Sequence, residues 1–151
     1  MLAPMARVEI VLPEHFSFTT DIPIRIGDVN YGGHLGNDAV LSIAHEARVR
    51  FLAAHGFTEH DLAGVGILMI DAAVQYRAEG LYGMTLRVDV VAADVRTRDC
   101  DLVYRLSDAA SGREIARVKT GLVFTDRTTG RLVRMPDAVR ALLAPAAPRT
   151  A

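Results

Sequence analysis

The stretch Arg25-Ile26-Gly27-Asp28-Val29-Asn30-Tyr31-Gly32-Gly33-His34-Leu35-Gly36-Asn37-Asp38, followed by Ala39 to His55, decides the reading of the fold. Four glycines between Gly27 and Gly36 exclude a regular element there and mark a loop that turns sharply or lies close to something else. Beyond the loop the period changes. Val40, Ile43, Ala44, Ala47, Phe51 and Ala54 recur at helical spacing, and Leu41 and Leu52 widen the stripe. The spacing predicts a largely buried helix from Asp38 to His55, with Asn37 or Asp38 as its N-cap and Gly56 at its C-terminal end.

On either side of this unit the period is two. Phe16, Phe18, Thr20 and Ile22 predict a strand from about Phe16 to Ile26, bent near Pro23. Downstream, Leu68, Ile70, Ala72, Val74 and Tyr76 recur at every second position. So do Leu86, Val88 and Val90; Leu102, Tyr104 and Leu106; and Ala116, Val118, Thr120, Leu122 and Phe124. Gly80 to Gly83, Ser111-Gly112 and Thr129-Gly130 punctuate them as turns. Thr58 to Leu62 reads as a short helical turn capped by Thr58, and Pro136 to Leu143 as a closing helix. One strand, one long apolar helix and four strands joined by short turns imply an α+β fold. In it, a curved antiparallel sheet of about five strands encloses the helix. Residues 1–14 read as an N-terminal extension, 15–143 as a single domain, and 144–151, with two prolines, as a flexible tail.

Composition fits this frame. Half of the 151 residues are hydrophobic and 23% are charged, an ordinary globular balance. Seventeen basic residues against eighteen acidic ones leave no positive sheath for nucleic acid and no acidic tail. The single Cys100 cannot form an internal disulfide, so a reducing, cytoplasmic setting is the expectation. Its neighbours Asp99 and Asp101 disfavour the thiolate, and its phase with Leu102 makes it a buried strand residue. No apolar run reaches the length of a membrane span, and Met1 to Ala6 lacks the pattern of a signal peptide.

Several chemistries are excluded by spacing. His45-Glu46 opens like a zinc-protease helix, but position 49 is Val, and no other histidines are paired as ligands, so no metal is expected. The third glycine of a dinucleotide loop is missing after Gly64-Val65-Gly66, and there is neither a P-loop nor a Gly-x-Ser-x-Gly elbow. What remains is Asp28 to Arg50. A helix N-terminus offers free N–H groups and a positive dipole end, and the glycines let a ligand carbonyl approach them. Such a carbonyl would be polarised and its developing oxyanion stabilised.

The segment Arg25-x-x-Asp28-x-Asn30-x-x-Gly33-His34-Leu35-x-Asn37, followed by Glu46-Ala47-Arg48, resembles the hot-dog-fold acyl-CoA thioesterases, the 4-hydroxybenzoyl-CoA type in particular. Thr125-Asp126-x-x-Thr129-Gly130-Arg131 and Met135-Pro136 are similar to that family's last hairpin and closing segment, so the resemblance spans roughly Ile22 to Leu143. It implies the hot-dog fold, hydrolysis of an acyl-CoA or acyl-carrier thioester without a separate cofactor, and a homodimer or homotetramer with sites at the subunit interface. One position departs. Where the family carries the second Asp of Asp-x-Asp, this chain has Asn30, which cannot act as a base or accept an acyl group.

The catalytic candidates are therefore Asn30, His34, Asp38 and Glu46. Asn30 or His34 would position water or the carbonyl. Asp38, at the helix start, and Glu46, two turns on, are the candidate bases. Asp38 could instead be a cap, and Glu46 an i,i+4 partner of Arg50. Gly33, Gly36, Asn37 and Ala39 are the candidate substrate-binding positions. Asp28 is expected to brace the loop, and His45 to be a satisfied buried histidine. Arg77, Arg98, Arg113 and Arg131 are candidates for the coenzyme A phosphates. A binding module without turnover is the alternative that Asn30 keeps open, and a hot-dog dehydratase is a weaker third.

Overall fold

The computed structural model describes residues 1–144. Its elements are β1 (Phe18–Pro23), α1 (Asn37–Ala53), β2 (Val65–Tyr76), β3 (Thr85–Ala93), β4 (Asp99–Asp108), β5 (Glu114–Asp126) and α2 (Asp137–Leu143). A 3-10 turn, Ile26–Asp28, lies between β1 and the glycine loop. The strands form one sheet in the order β1-β3-β4-β5-β2, antiparallel throughout. The sheet is curved around α1, as the alternations and the lone long helix imply, and this is the hot-dog fold that the resemblance implies. Residues 145–151, most of the predicted tail, lie outside the described residues.

Most of the predicted stripe is buried, with Val40, Ile43, Ala44, Ala47, Phe51 and Leu52 in the core, but Leu41 and Ala54 are exposed and the helix ends at Ala53, short of His55. They pack with the inner faces of β3, β4 and β5, where Leu86, Val88, Val90, Leu102, Tyr104, Leu106, Ala116 and Val118 are all buried. The polar residues buried on this inner side are tied to one another. Arg48, only 5% exposed, donates from Nε to Glu59 Oε1 at 2.6 Å and from Nη1 to Tyr104 Oη at 3.3 Å. Tyr104 Oη in turn meets Thr120 Oγ1 at 3.0 Å. No buried side-chain polar atom lacks a partner among the described residues, as a stable core requires.

Some expectations are corrected. The first strand stops at Pro23, and Ile26 stands exposed in the 3-10 turn. The helix begins one residue early, with Gly36 as N-cap and no side-chain cap, so neither Asn37 nor Asp38 caps it. Thr58 to Leu62 makes no helix. Thr58 and Asp61 exchange backbone bonds in a tight turn, and Asp61 Oδ1 accepts from the Gly64 N–H at 2.9 Å, which closes a second turn. The alternation assigned to β2 breaks at a bulge between Met69 and Asp71. Before it Val65 and Ile67 pack on the core, and after it Val74 does, while Leu68 and Ile70 are each 57% exposed. The extra residue reverses the phase, which a strict period-two reading cannot anticipate. His45 is exposed and pairs with Glu59 at 2.9 Å, so it is not a buried histidine. Cys100 is buried as expected. Burial, with Asp101 and Asp99 beside it, pushes its thiol up to about 12, which leaves it inert.

The glycine loop docks on the turn between β2 and β3. The Leu35 N–H donates to Gly80 O at 2.8 Å, and His34 bridges Leu81. Gly80 allows this approach, because a Cβ there would lie 2.9 Å from Ile24 Cδ1 and 3.0 Å from Leu35 Cβ. Gly80→Ala should therefore lower stability by about 1–3 kcal/mol through overpacking. Denaturant unfolding measures it, and a change within about 0.5 kcal/mol would show that the loop gives way freely.

Candidate active site

The loop is built as a small hairpin. Val29 bridges Leu35, the Asn30 N–H donates to His34 O at 2.8 Å, and Gly33 takes a positive φ of 83° to make the turn. Asn30 Oδ1 accepts from the N–H groups of Gly32, at 3.0 Å, and His34, at 3.2 Å. These bonds use the carbonyl end of the Asn30 amide and leave Nδ2 as a free donor. Asp28 is buried and accepts from the Arg25 N–H at 2.8 Å, while its backbone oxygen accepts from the Gly36 N–H at 2.8 Å. It braces the loop, as expected.

At Gly36 the loop becomes helix. The first intrahelical bond runs from the Val40 N–H to Gly36 O at 3.3 Å. The N–H groups of Asn37, Asp38 and Ala39 are therefore the uncapped start of the helix, at its positive dipole end. Tyr76 Oη donates to Asn37 O at 3.1 Å, which ties this start to the end of β2.

A cavity of about 350 Å³ opens between the loop and the end of β2. Asn30, His34, Asn37, Tyr76, Arg77 and Glu79 supply its polar lining, with Leu35 and Ala78. Two of the four catalytic candidates, Asn30 and His34, thus meet in one space with the substrate-binding candidate Asn37. Gly33, Gly36 and Ala39 shape the loop and helix start behind it without lining it. Asp38 is exposed on the first helical turn and lines none of these cavities. Glu46 lines a different cavity of about 260 Å³, with Arg25, Asp28, Ser42 and Arg50, and pairs with Arg50 at 2.9 Å. That Arg50 also reaches Thr20 Oγ1 and Asp21 O, so the i,i+4 pair helps to fasten α1 to β1.

The structure adds two residues that the sequence did not single out, Tyr76 and Glu79. Glu79 Oε2 stands 3.1 Å from His34 Nε2. Among the described residues it is the only carboxylate lining the cavity with Asn30 and His34. Its one sequence signal is a place just before the Gly80 turn at a strand end, where site residues concentrate. Of the candidate phosphate partners, Arg77 lines this cavity and is drawn toward Glu114 Oε1, 3.4 Å away. Arg113 lines an adjoining cavity of about 360 Å³ that also includes Glu79. No group of acidic, histidine or cysteine side chains able to hold a metal occurs among the described residues, and no helix there is long and apolar enough to cross a membrane.

Solved structures share this architecture. The chain is similar to a 1,4-dihydroxy-2-naphthoyl-CoA thioesterase from Synechocystis at 18% identity and a TM-score of 0.78, over 85% of this chain and 96% of the other. It is similar to the PA2801 protein of Pseudomonas aeruginosa at 24% identity and a TM-score of 0.78, over 86% and 100%. The gentisyl-coenzyme A thioesterase BH1999 gives 19% and 0.74, over 84% and 100%. At such identities the likeness establishes the fold. No curated protein sequence matches the chain significantly. The family model of the thioesterase-like superfamily matches residues 24–143, from the end of β1 through the loop, the helix and the sheet to α2. The chain belongs to the thioesterase-like superfamily and is a hydrolase of thioesters.

Proposed function

We propose that the chain hydrolyses an acyl- or aroyl-CoA thioester in the cavity between the glycine loop and the end of β2. The observation that carries this reading is the convergence of three features on one space: the uncapped start of α1, the free Nδ2 of Asn30, and the imidazole of His34. The N–H of Asn37 at the helix start and Asn30 Nδ2 are donors for the thioester carbonyl, worth most where charge develops on its oxygen. His34 handles the attacking water. Asp38 is near the helix start but exposed, and Glu46 is committed to Arg50 in another cavity. Neither stands beside Asn30 and His34 within one chain.

The active form in this reading is a homo-oligomer. The cavity is open on one side in the single chain, next to the unpaired edge of β2. A second copy paired along that edge covers it and completes the acyl channel. The substrate carries coenzyme A or an acyl-carrier arm as its leaving group, with no further cofactor, and the reaction takes place in the cytoplasm.

Free-thiol release from short, medium, long and aromatic acyl-CoAs tests the reading. Aroyl thioesters belong in the panel because two structurally similar proteins carry aromatic acyl-CoA names. Turnover on any member supports it. Silence from folded, oligomeric protein on both coenzyme A and carrier thioesters would mark the chain as a binding module.

Asn30 gives a sharper check. Asn30→Ala removes both the loop brace and the donor, and kcat should fall about 100-fold. Asn30→Asp keeps the two loop bonds but puts a carboxylate oxygen where Nδ2 stands, so it too should be slower. A gain in rate for Asn30→Asp would refute the donor role.

A further inference from the structure

With Asn at position 30, the loop lacks the carboxylate that would take a proton from water. We infer that His34 and Glu79 act together as that base, His34 as the catalytic residue and Glu79 as its positioning residue. This rests on the thioesterase reading of the same cavity.

The argument begins with the backbone. His34 and Glu79 flank the contact in which the Leu35 N–H donates to Gly80 O at 2.8 Å, and His34 itself bridges Leu81. The two residues are therefore brought together by paired main chains and by a glycine that cannot be enlarged without a clash. Their side chains then meet at 3.1 Å, Nε2 to Oε2. Glu79 makes no other ion pair among the described residues, because the nearby cation Arg77 is turned toward Glu114. The His34 side chain is 41% exposed and that of Glu79 72%, so the contact adds little to stability. A pair held by the backbone but worth little to the fold suits a catalytic task. Contacts of this kind commonly tighten only when substrate excludes water.

The chemistry follows from the tautomer. The 3.1 Å approach puts the carboxylate at Nε2, and once bound substrate aligns the two groups the ring proton stays there and leaves the Nδ1 lone pair as the acceptor. Nδ1 takes a proton as the water oxygen bonds to the thioester carbon, and Glu79 stabilises the imidazolium that forms. The tetrahedral oxyanion collapses, the carbon–sulfur bond breaks, and Nδ1 returns the proton to the departing sulfur. The products are the free acid and the thiol, and no other reactant is needed.

Steady-state kinetics on the acyl-CoA that the wild-type protein turns over fastest tests this. His34→Gln should lower kcat about 1,000-fold. Glu79→Gln should lower it about 100-fold with KM little changed, and the double variant should be no slower than His34→Gln alone. Glu79→Asp should restore part of the rate. A Glu79 that only braced the fold would lower stability without a selective loss of kcat, and Glu79→Asp would not restore it. An active wild type whose Glu79→Gln variant keeps its kcat overturns the pair alone. A wild type silent on every thioester overturns the thioesterase reading and the pair with it.

Discussion

Replacing Arg48 with Met should destabilise the protein by about 3 kcal/mol, the lower end of the cost of breaking a buried ion pair. Arg48 is 5% exposed and, among the described residues, is the only partner of Glu59 besides His45. Methionine fills much of the same volume, so the loss comes from leaving a half-buried carboxylate without its guanidinium. Because the Glu59 side chain stays 24% exposed, water recovers part of the loss, which places the figure at the low end. For a chain of this length the thermal midpoint should drop by roughly 10 °C. Removing both charges, with Arg48→Met and Glu59→Met, should return most of the stability, because neither charge is then stranded. A single Arg48→Met variant as stable as wild type would show that the seam is fully hydrated.

The same seam carries a pH dependence. Burial pushes the Glu59 carboxyl up, but hydrogen bonds from Arg48 and His45 outweigh it, so the group sits below its ordinary 4.5. A carboxylate held down in the folded state contributes stability that is complete above its ordinary value. That stability is lost as pH falls through the folded-state value. Wild-type protein should therefore weaken below pH 4.5, whereas Glu59→Gln should lack this component of the acid transition. Unfolding free energies measured between neutral pH and about pH 3 make the comparison, and parallel curves for the two proteins would refute it.

How much of this was legible in the sequence depends on how local the cause is. The stripe Val40, Ile43, Ala44, Ala47, Phe51 reports the buried face of α1 because helix geometry alone sets that spacing. Leu86, Val88 and Val90, or Leu102, Tyr104 and Leu106, report the inner sheet face for the same reason. The glycines mark the loop because the chain must turn there. Reading fails where a cause is not local. The bulge at Met69 depends on how β2 meets β5, with Asp71 opposite Gly121, and nothing inside the strand announces it. Arg48 reads as a charge beside the stripe, and its burial depends on Tyr104 and Glu59 arriving from elsewhere. The site divides the same way. Asn30, His34 and Asn37 are visible as one motif, but Glu79 reaches His34 only through the docking of the loop on the Gly80 turn.

If the homo-oligomer proposed above pairs along β2, lysine at both Leu68 and Ile70 should leave the chain folded, monomeric and about 100-fold less active than a dimeric wild type. The two edges of the sheet show why. The β1 edge is six residues long, ends at Pro23 and carries Asp21, all of which discourage pairing. The β2 edge is twelve residues long, contains no proline and a single charged residue, Asp71, and exposes Leu68, Met69 and Ile70 at its centre. An unblunted apolar edge of that length would aggregate unless another strand covered it, and a second copy related by a two-fold axis gives a closed pairing. Antiparallel pairing centred on these residues brings the far end of the partner's strand beside Tyr76, at the open side of the cavity. Losing that wall lets water in and frees the acyl group to shift, and a misplacement of about 1 Å can cost roughly 100-fold. Both side chains are mostly exposed in the single chain, so their replacement should leave far-UV dichroism unchanged. Light scattering after size exclusion reads the mass, and thiol release reads the rate. A monomeric wild type would refute the pairing, a double variant as dimeric as the wild type would move the interface elsewhere, and a monomer at full rate would show that one chain holds the entire site.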